Sequence, residues 1–529
     1  MKNATAESVP WAWSTGDVAV RLSLVFLLSL AALAYPSLMA YRDRKQANSE
    51  MWRGTQSPPW IPQRRLLRGL DLAVEFALAV RDDGLIPFCE SRFMLPGKST
   101  VQLYLGGAHI YYTWEPVNIK ALHDHKTWHM PRDRKVSMAS LLGKGVFTTD
   151  GAEWQHSREM LRPSFTRSQV AARVDALEGH VSRALARIPR DGSTIDLSDV
   201  FFRLILDVGS EQLFGEPVGA LCEEGEDIFG HAWERAMATC FKRSAFVPLL
   251  EWLPWANTTT KDMKHVFGIV DAHIQKALDR RRLQQLSGKD ASGKRHVFLE
   301  ELVTRTDDAH RIRTELLNLL AAGRNTTASM LSSTFFILGK RPDVWRKLQD
   351  DVATLEGRHP SLEQLKRLSY VDAVLRETLR LYPVVPVLSR EAAEDTTLPT
   401  GGGADGTAPL MVKKGQLVHF NLSMLHRRKD LHGEYADEFR PERWLDDSVM
   451  SIHGPQPTWK YLPFGAGARV CMGQQLGMAY GAYIIVRLCQ HFDRLEGRDP
   501  REWQGRVAET MTSAHGAKVG LYAREGVGE

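Results

Sequence analysis

The chemistry in this sequence is densest in ten residues, Phe464-Gly465-Ala466-Gly467-Ala468-Arg469-Val470-Cys471-Met472-Gly473. Glycines around a cysteine permit a tight loop and a close approach of backbone to a flat group. The apolar stretch Leu476–Leu488 that follows reads as a helix. That places Cys471 at a helix N-terminus, where the dipole and free N–H groups stabilise a thiolate. Arg469, two residues earlier, is a permanent cation suited to a carboxylate. A single cysteine in a glycine-rich turn is ordinarily a buried, inert thiol. The whole spacing Phe-x-x-Gly-x-Arg-x-Cys-x-Gly asks for more: an axial haem ligand lying beside a haem propionate.

Other pairs have chemistry-bearing spacing. Glu377 and Arg380, at i and i+3 before Pro383, share one face of a helical stretch. Taken alone, such a pair reads as a surface ion pair. Trp154 and Arg158, at i and i+4, also share a face. Gly323, Asn325 and Thr326 lie in Ala322-Gly323-Arg324-Asn325-Thr326-Thr327, inside the apolar-periodic stretch Arg311–Leu338. Arg390 closes Pro386-Val387-Leu388-Ser389-Arg390.

Together these strings resemble the cytochrome P450 family of haem-thiolate monooxygenases, over nearly the whole chain after its first apolar stretch. The resemblance implies heme b as cofactor, with Cys471 as its iron ligand. It implies that Trp154, Arg158, Arg390, Phe464, Arg469 and Gly473 line or bind the haem, the tryptophan N–H and the arginines reaching the propionates. It implies that Glu377 and Arg380 join Arg443, in Phe439-Arg440-Pro441-Glu442-Arg443-Trp444, as a buried structural triad. Gly323 leaves room over the iron, Thr326 orients water to bound dioxygen, and the helix is expected to be interrupted there. An acid usually precedes that threonine; this chain has Asn325. An amide positions water but does not relay a proton as a carboxyl does.

The implied reaction inserts one oxygen atom from O2 into a hydrophobic small molecule. Electrons are expected from NADPH through a separate flavoprotein, the NADPH-cytochrome P450 reductase, with a cytochrome b-type donor as a further partner. No flavin or nicotinamide fingerprint is present in this chain. The string from Gly143 to Pro163, the Ala322–Thr327 segment and Cys471-Met472-Gly473-Gln474-Gln475 are similar to the fungal alkane and fatty-acid terminal hydroxylases. That subgroup hydroxylates the ends of long chains; fungal relatives of the same look act on polyketide or terpenoid products of secondary metabolism. A non-catalytic haem protein and a thiolate-haem peroxide isomerase are the other readings, and the retained Thr326 speaks against both. By family position the substrate pocket is lined from Met130–Leu142, Leu316–Gly323, Val385–Leu388 and Met511–His515.

The elements that must position these residues are mostly helical. Helical spacing covers Ala171–Ile188, Val266–Leu286, Arg311–Leu338 and Arg341–Leu355. Val101–Leu105 and His109–Thr113 flank Gly106-Gly107 as a hairpin. Ser287–Arg295 and Thr400–Gly406 read as loops. The expected fold class is mainly α with minor β (α+β), the cytochrome P450 fold, as one large domain over residues 66–529.

Composition agrees. Of 529 residues, 43% are apolar and 25% charged, which excludes a disordered chain. A net charge of +5 is too small at this length for a dedicated nucleic-acid binder. The five cysteines are dispersed with no CxxC, so neither a disulfide framework nor a structural zinc site is expected. Leu22–Tyr41 carries no charge, and twenty helical residues span roughly the 30 Å of a bilayer core. Arg42, Arg44, Lys45 and Arg53 follow it, against Lys2 and Arg21 before it. This predicts a lumenal N-terminus (1–21), a single-pass anchor (22–41), a basic and proline-rich linker (42–65) and a cytosolic body on the endoplasmic reticulum membrane. Asn3-Ala4-Thr5 is then a lumenal glycosylation sequon, making the chain a candidate glycoprotein.

Overall fold

The structure is a computed structural model that describes residues 54–64, 69–221, 228–244, 258–287, 297–445 and 459–524. The chain divides into two units, Met1–Gln56 and Ser57–Glu529. The expected anchor Leu22–Tyr41, the loop at 288–295 and Cys222 lie outside the described residues. Among the described residues, no helix is long and apolar enough to cross a membrane.

The second unit is built on helices. Those that shape the site are α1 (Arg132–Leu142), α2 (Gly151–Leu161), α3 (Leu197–Phe214), α4 (Ile228–Ser244), α5 (Lys261–Ser287), α6 (Ala309–Leu338), α7 (Pro342–Ala353), α8 (Ser369–Leu381) and α9 (Gln474–His491). A five-stranded sheet runs in the order β1 (Thr100–Leu105), β2 (Ala108–Thr113), β8 (Leu417–Asn421), β5 (Val387–Ala392) and β3 (Trp128–His129). Three smaller sheets pair β6 (Thr396–Gly402) with β7 (Ala408–Val412), β10 (Gly505–Val507) with β11 (Met511–Ser513), and β12 (Lys518–Ala523) with both β4 (Asp191–Asp196) and β9 (Phe492–Gly497). The expected hairpin is β1–β2, in register from Thr100–Thr113 to Leu105–Ala108.

Helix α6 organises the interior. Thirty residues at about 1.5 Å each make a rod of about 45 Å. The Asp308 carboxylate caps it, accepting from the amides of His310 and Arg311 at 2.9 and 3.1 Å. Its first half, Ile312–Ala321, packs into an apolar cluster with α1, α4 and α5. Its second half, Ala328–Leu338, packs into another with α3, α7, α8 and α9. Between the halves the burial lapses: Gly323 is exposed, and Ala322, Asn325 and Thr326 are half-buried. A helix that is buried on both sides of such a gap faces an open interior there.

The structure departs from the sequence expectations in a few places. The periodic stretch Ala171–Ile188 is two helices, Arg167–Asp175 and Glu178–Ala186. The Ala176 amide bonds to the carbonyls of both Ala172 and Val174, a tight turn that ends the first helix and lets Leu177 bury. Thr400–Gly402 belongs to β6 rather than to the loop that follows it. The expected linker is also docked over part of its length. Trp60 bridges Gln102 in parallel, the Ile61 amide donates to the Gln102 carbonyl at 3.1 Å, and the Gln102 amide donates to the Pro59 carbonyl at 2.9 Å. Prolines lack a donor but keep their carbonyl, so Pro59 serves as an edge acceptor. Ile61 is buried.

Candidate functional site

The cysteine loop takes its shape from two glycines. Gly465 and Gly467 have φ of 67° and 64°, the left-handed region that costs glycine nothing. The turn they make returns the Cys471 amide to the Phe464 carbonyl at 3.0 Å. Gly473 has an ordinary backbone, and a Cβ there would make ordinary contact with the Cys471 sulfur at 3.9 Å. The amides of Gly473 and Gln474, at the start of α9, point at that sulfur. Cys471 is free and keeps accessible surface. Protein nevertheless encloses it closely enough that burial pushes its thiol up, against the pull of these amides and of Arg158. Helix α6 passes nearby: a Cβ at Gly477, on α9, would lie 3.8 Å from the Thr327 hydroxyl.

Around this loop the structure gathers arginines. Arg158 donates to the Val470 carbonyl at 2.9 Å and lies 5.7 Å from the Trp154 ring. Arg469 lies over the same ring at 4.2 Å and donates to Asp150 at 2.6 Å and to the Thr149 carbonyl at 3.0 Å. Arg390 is buried, donating to the Ser389 carbonyl at 2.8 Å and lying 5.6 Å from Phe420. Arg134, on α1, adds a fourth guanidinium that no motif signals; it sits in the Met130–Leu142 segment expected to line the pocket. Burial, the largest cause in each case, holds Arg390 and Arg469 down at about 10, with neighbouring guanidinium groups adding to it and the Asp150 carboxylate pulling the other way. Arg134 acts on both of them. Buried like charges are costly without counter-anions. A dianionic edge placed among these arginines removes that cost.

The loop leading to Trp154 is fixed by α6. Asn318 donates to the Leu142 carbonyl at 2.8 Å and accepts from the Phe147 amide at 3.2 Å. A Cβ at Gly145 would fall 2.3 Å from the Asn318 amide, so only glycine allows this approach.

Helix α6 runs unbroken through Gly323, contrary to the expected interruption. The Thr326 hydroxyl donates to the Ala322 carbonyl at 2.7 Å. That back-bond satisfies the hydroxyl proton within the helix, and the oxygen lone pairs remain to accept. Nothing lies within 4 Å of where a Cβ at Gly323 would be. Asn325 accepts from Arg324 at 3.0 Å, and Arg324 pairs with Glu234 of α4 at 2.8 Å. Arginine has donors alone, so the Asn325 carbonyl must face it and the amide N–H2 is the free end.

Glu377, Arg380 and Arg443 form a separate cluster. Glu377 and Arg380 are fully buried and doubly bonded, at 2.9 Å in each bond. Arg443 Nε and the Arg440 amide also donate to Glu377 at 2.9 Å. The Trp444 indole N–H donates to Glu377 at 3.0 Å, a partner that no local spacing in the sequence signals. Arg380 also donates to the carbonyls of His426, Ala436 and Glu438.

The family model for cytochrome P450 matches residues 95–515. The chain belongs to the cytochrome P450 family. It is similar to the cytochrome P450 monooxygenase fsdH of Fusarium heterosporum, 39% identical over 79% of this chain and 74% of the relative. The cytochrome P450 monooxygenase himC of Aspergillus japonicus is 35% identical over 96% and 90% of the two chains. Cytochrome P450 52A1 of Candida tropicalis is 36% identical over 81% of each.

This cytochrome P450 is an oxidoreductase whose cofactor is heme b, with electrons from NADPH through a reductase. The residues fit that group: an accessible sulfur backed by two amides, an arginine cluster short of anions, and an exposed Gly323 with nothing within 4 Å of its Cβ position. When bound, the haem supplies the activation of dioxygen. The residues that would hold it are Cys471 at the iron and Arg158, Arg390 and Arg469 at the anionic edge.

Proposed function

We propose that this cytochrome P450 is a membrane-anchored monooxygenase that hydroxylates a long aliphatic chain, a fatty acid or an alkane. The observation that carries the reading is an accessible Cys471, backed by the Gly473 and Gln474 amides, at the start of the helix α9 that packs against α6 beside Thr327, close to the exposed Gly323. In it Cys471 ligates the iron, while Trp154, Arg158, Arg390 and Arg469 hold the propionates. Gly323 leaves space for substrate and oxygen, and Thr326 and Asn325 order the water. The aliphatic substrate is supported by the strings around the site that resemble the fungal terminal hydroxylases. The anchor at 22–41 is supported by its uncharged length and the basic residues that follow it. The second reading, oxidation of a polyketide or terpenoid in secondary metabolism, rests on the same resemblance, since fungal relatives of that look act on such products.

The test is product analysis. Microsomes carrying this protein and a fungal reductase are given NADPH and a panel of fatty acids and alkanes, and mass spectrometry locates the oxygen. Terminal hydroxylation is the expected result. A normal reduced carbon monoxide spectrum with no oxidised product from any chain rejects the aliphatic reading in favour of the second.

A prediction arises at Asn325. Asn325→Asp places a carboxylate where Arg324 already donates, so the local geometry is retained and a group able to relay a proton is added. Haem content is expected to stay unchanged, while product formed per NADPH consumed rises. An unchanged or lower ratio shows that the amide limits nothing.

A further inference from the structure

Two of the four segments expected to line the substrate pocket, Met130–Leu142 and Met511–His515, meet beside one acid, Glu509. Glu509 occupies the turn between β10 and β11, closed by the Ala508 amide on the Thr510 carbonyl at 3.0 Å. The Met511 amide donates to the Val384 carbonyl at 2.7 Å, seating the turn on the segment that enters β5. Facing it are Arg134 of α1 and Cys240 of α4. Asp133 is the other acid near Arg134, and Arg243 of α4 is engaged with Ser140 and the Thr258 carbonyl. Glu509 Oε2 is buried with no hydrogen-bond donor, and Arg134 Nε is buried with no acceptor. The Arg134 guanidinium lies 5.3 Å from the Phe147 ring. An orphaned carboxyl oxygen carries its full desolvation cost, which an apolar residue here would avoid.

We propose that Glu509 determines specificity, its carboxyl accepting a hydrogen bond from a neutral hydroxyl or amide N–H borne by the chain substrate. The proposal rests on the aliphatic-chain reading and adds a polar group to that chain. A cationic group is disfavoured, because Arg134 stands opposite with Arg390 and Arg469 behind it. A carboxylate is disfavoured, because it meets the carboxyls of Glu509 and Asp133 that flank Arg134. A neutral donor satisfies the orphaned oxygen and adds no charge. Burial pushes the Glu509 carboxyl up to about 7, with Arg134 pulling against it, so near neutrality its charge is weak enough to suit such a partner.

The test is binding, read as the Soret shift of the purified holoenzyme titrated with n-dodecane, 1-dodecanol and dodecanoic acid. Wild type is expected to hold 1-dodecanol most tightly. Glu509→Leu is expected to weaken 1-dodecanol roughly tenfold while n-dodecane stays within about twofold. Glu509→Gln keeps a carbonyl acceptor in the same shape and is expected to retain the alcohol within about threefold. If Glu509→Leu fails to take up haem, Glu509→Gln decides: retained preference for alcohol over alkane supports the proposal, and loss of that preference overturns it. Equal affinities of wild type for all three probes, tighter binding of the acid than the alcohol, or an unchanged alcohol affinity in Glu509→Leu each overturn it and leave the aliphatic reading standing. No shift with any probe overturns the aliphatic reading and the proposal together.

Discussion

Cys471→Ala is expected to abolish monooxygenase turnover and the red-shifted Soret band of the reduced carbon monoxide complex. The argument is one of available thiolates. Among the described residues the other cysteines are Cys89, Cys240 and Cys489, all buried. Burial pushes the first two up to about 12 and about 11, and Cys489 rises for the same reason. None of them is placed to become a thiolate. Cys471 combines accessible surface with two amides and the charge of Arg158 directed at its sulfur. Burial still dominates its titration, so the free thiol stays protonated, and a bound metal ion is what displaces the proton. Alanine removes the sulfur and leaves the loop intact, since the Cys471 amide still reaches the Phe464 carbonyl. The measurement is the reduced carbon monoxide spectrum beside turnover with NADPH; a variant that kept the red-shifted band would refute the ligand assignment.

What the sequence made legible follows the physics of local spacing. The cysteine loop, the Glu377–Arg380 pair, the Trp154–Arg158 pair and α6 are short-range patterns, and their side chains lie where i, i+3 and i, i+4 geometry puts them. Partners set by chain separation were not legible. Asp150 meets Arg469 across 319 residues, and Trp444 meets Glu377 across 67. Arg134 and Glu509 lie further apart still. Backbone competition was also missed. The family resemblance of Ala322–Thr327 implies a loosened helix, yet the Thr326 back-bond to Ala322 is compatible with an intact one. Proline-rich residues suggest a free spacer, yet the Pro59 carbonyl was available to the edge of β1.

Those distant partners decide the second large effect. Glu377→Ala is expected to prevent accumulation of folded, haem-containing protein. Glu377 accepts from Arg380 twice, and once each from Arg443, the Arg440 amide and Trp444. Burial pushes its carboxyl up, but Arg380, Arg443 and the Arg440 amide outweigh that and hold it below the usual glutamate range. Alanine leaves Arg380 fully buried with three carbonyl acceptors and no counter-charge. Breaking a buried pair from one side costs about 3–5 kcal/mol, against a total stability of about 5–15 kcal/mol for a typical domain. Arg443→Lys removes less: Arg443 is at the cluster's edge, and lysine keeps the charge while losing the fork that spans Glu377, the His432 carbonyl and the Tyr435 carbonyl. It is expected to yield folded protein of lowered melting temperature. The pH dependence has a definite sign. A carboxyl depressed in the folded state lends stability above its unfolded value of about 4.5, and that stability is lost as pH falls through the lower folded value. Arg443→Lys, with a weaker hold on Glu377, is therefore expected to lose its thermal transition at a higher pH than wild type on acid titration. Equal acid midpoints for the two proteins would show that Arg443 does not help keep Glu377 charged, and a Glu377→Ala protein recovered with full haem would show that the cluster is dispensable to the fold.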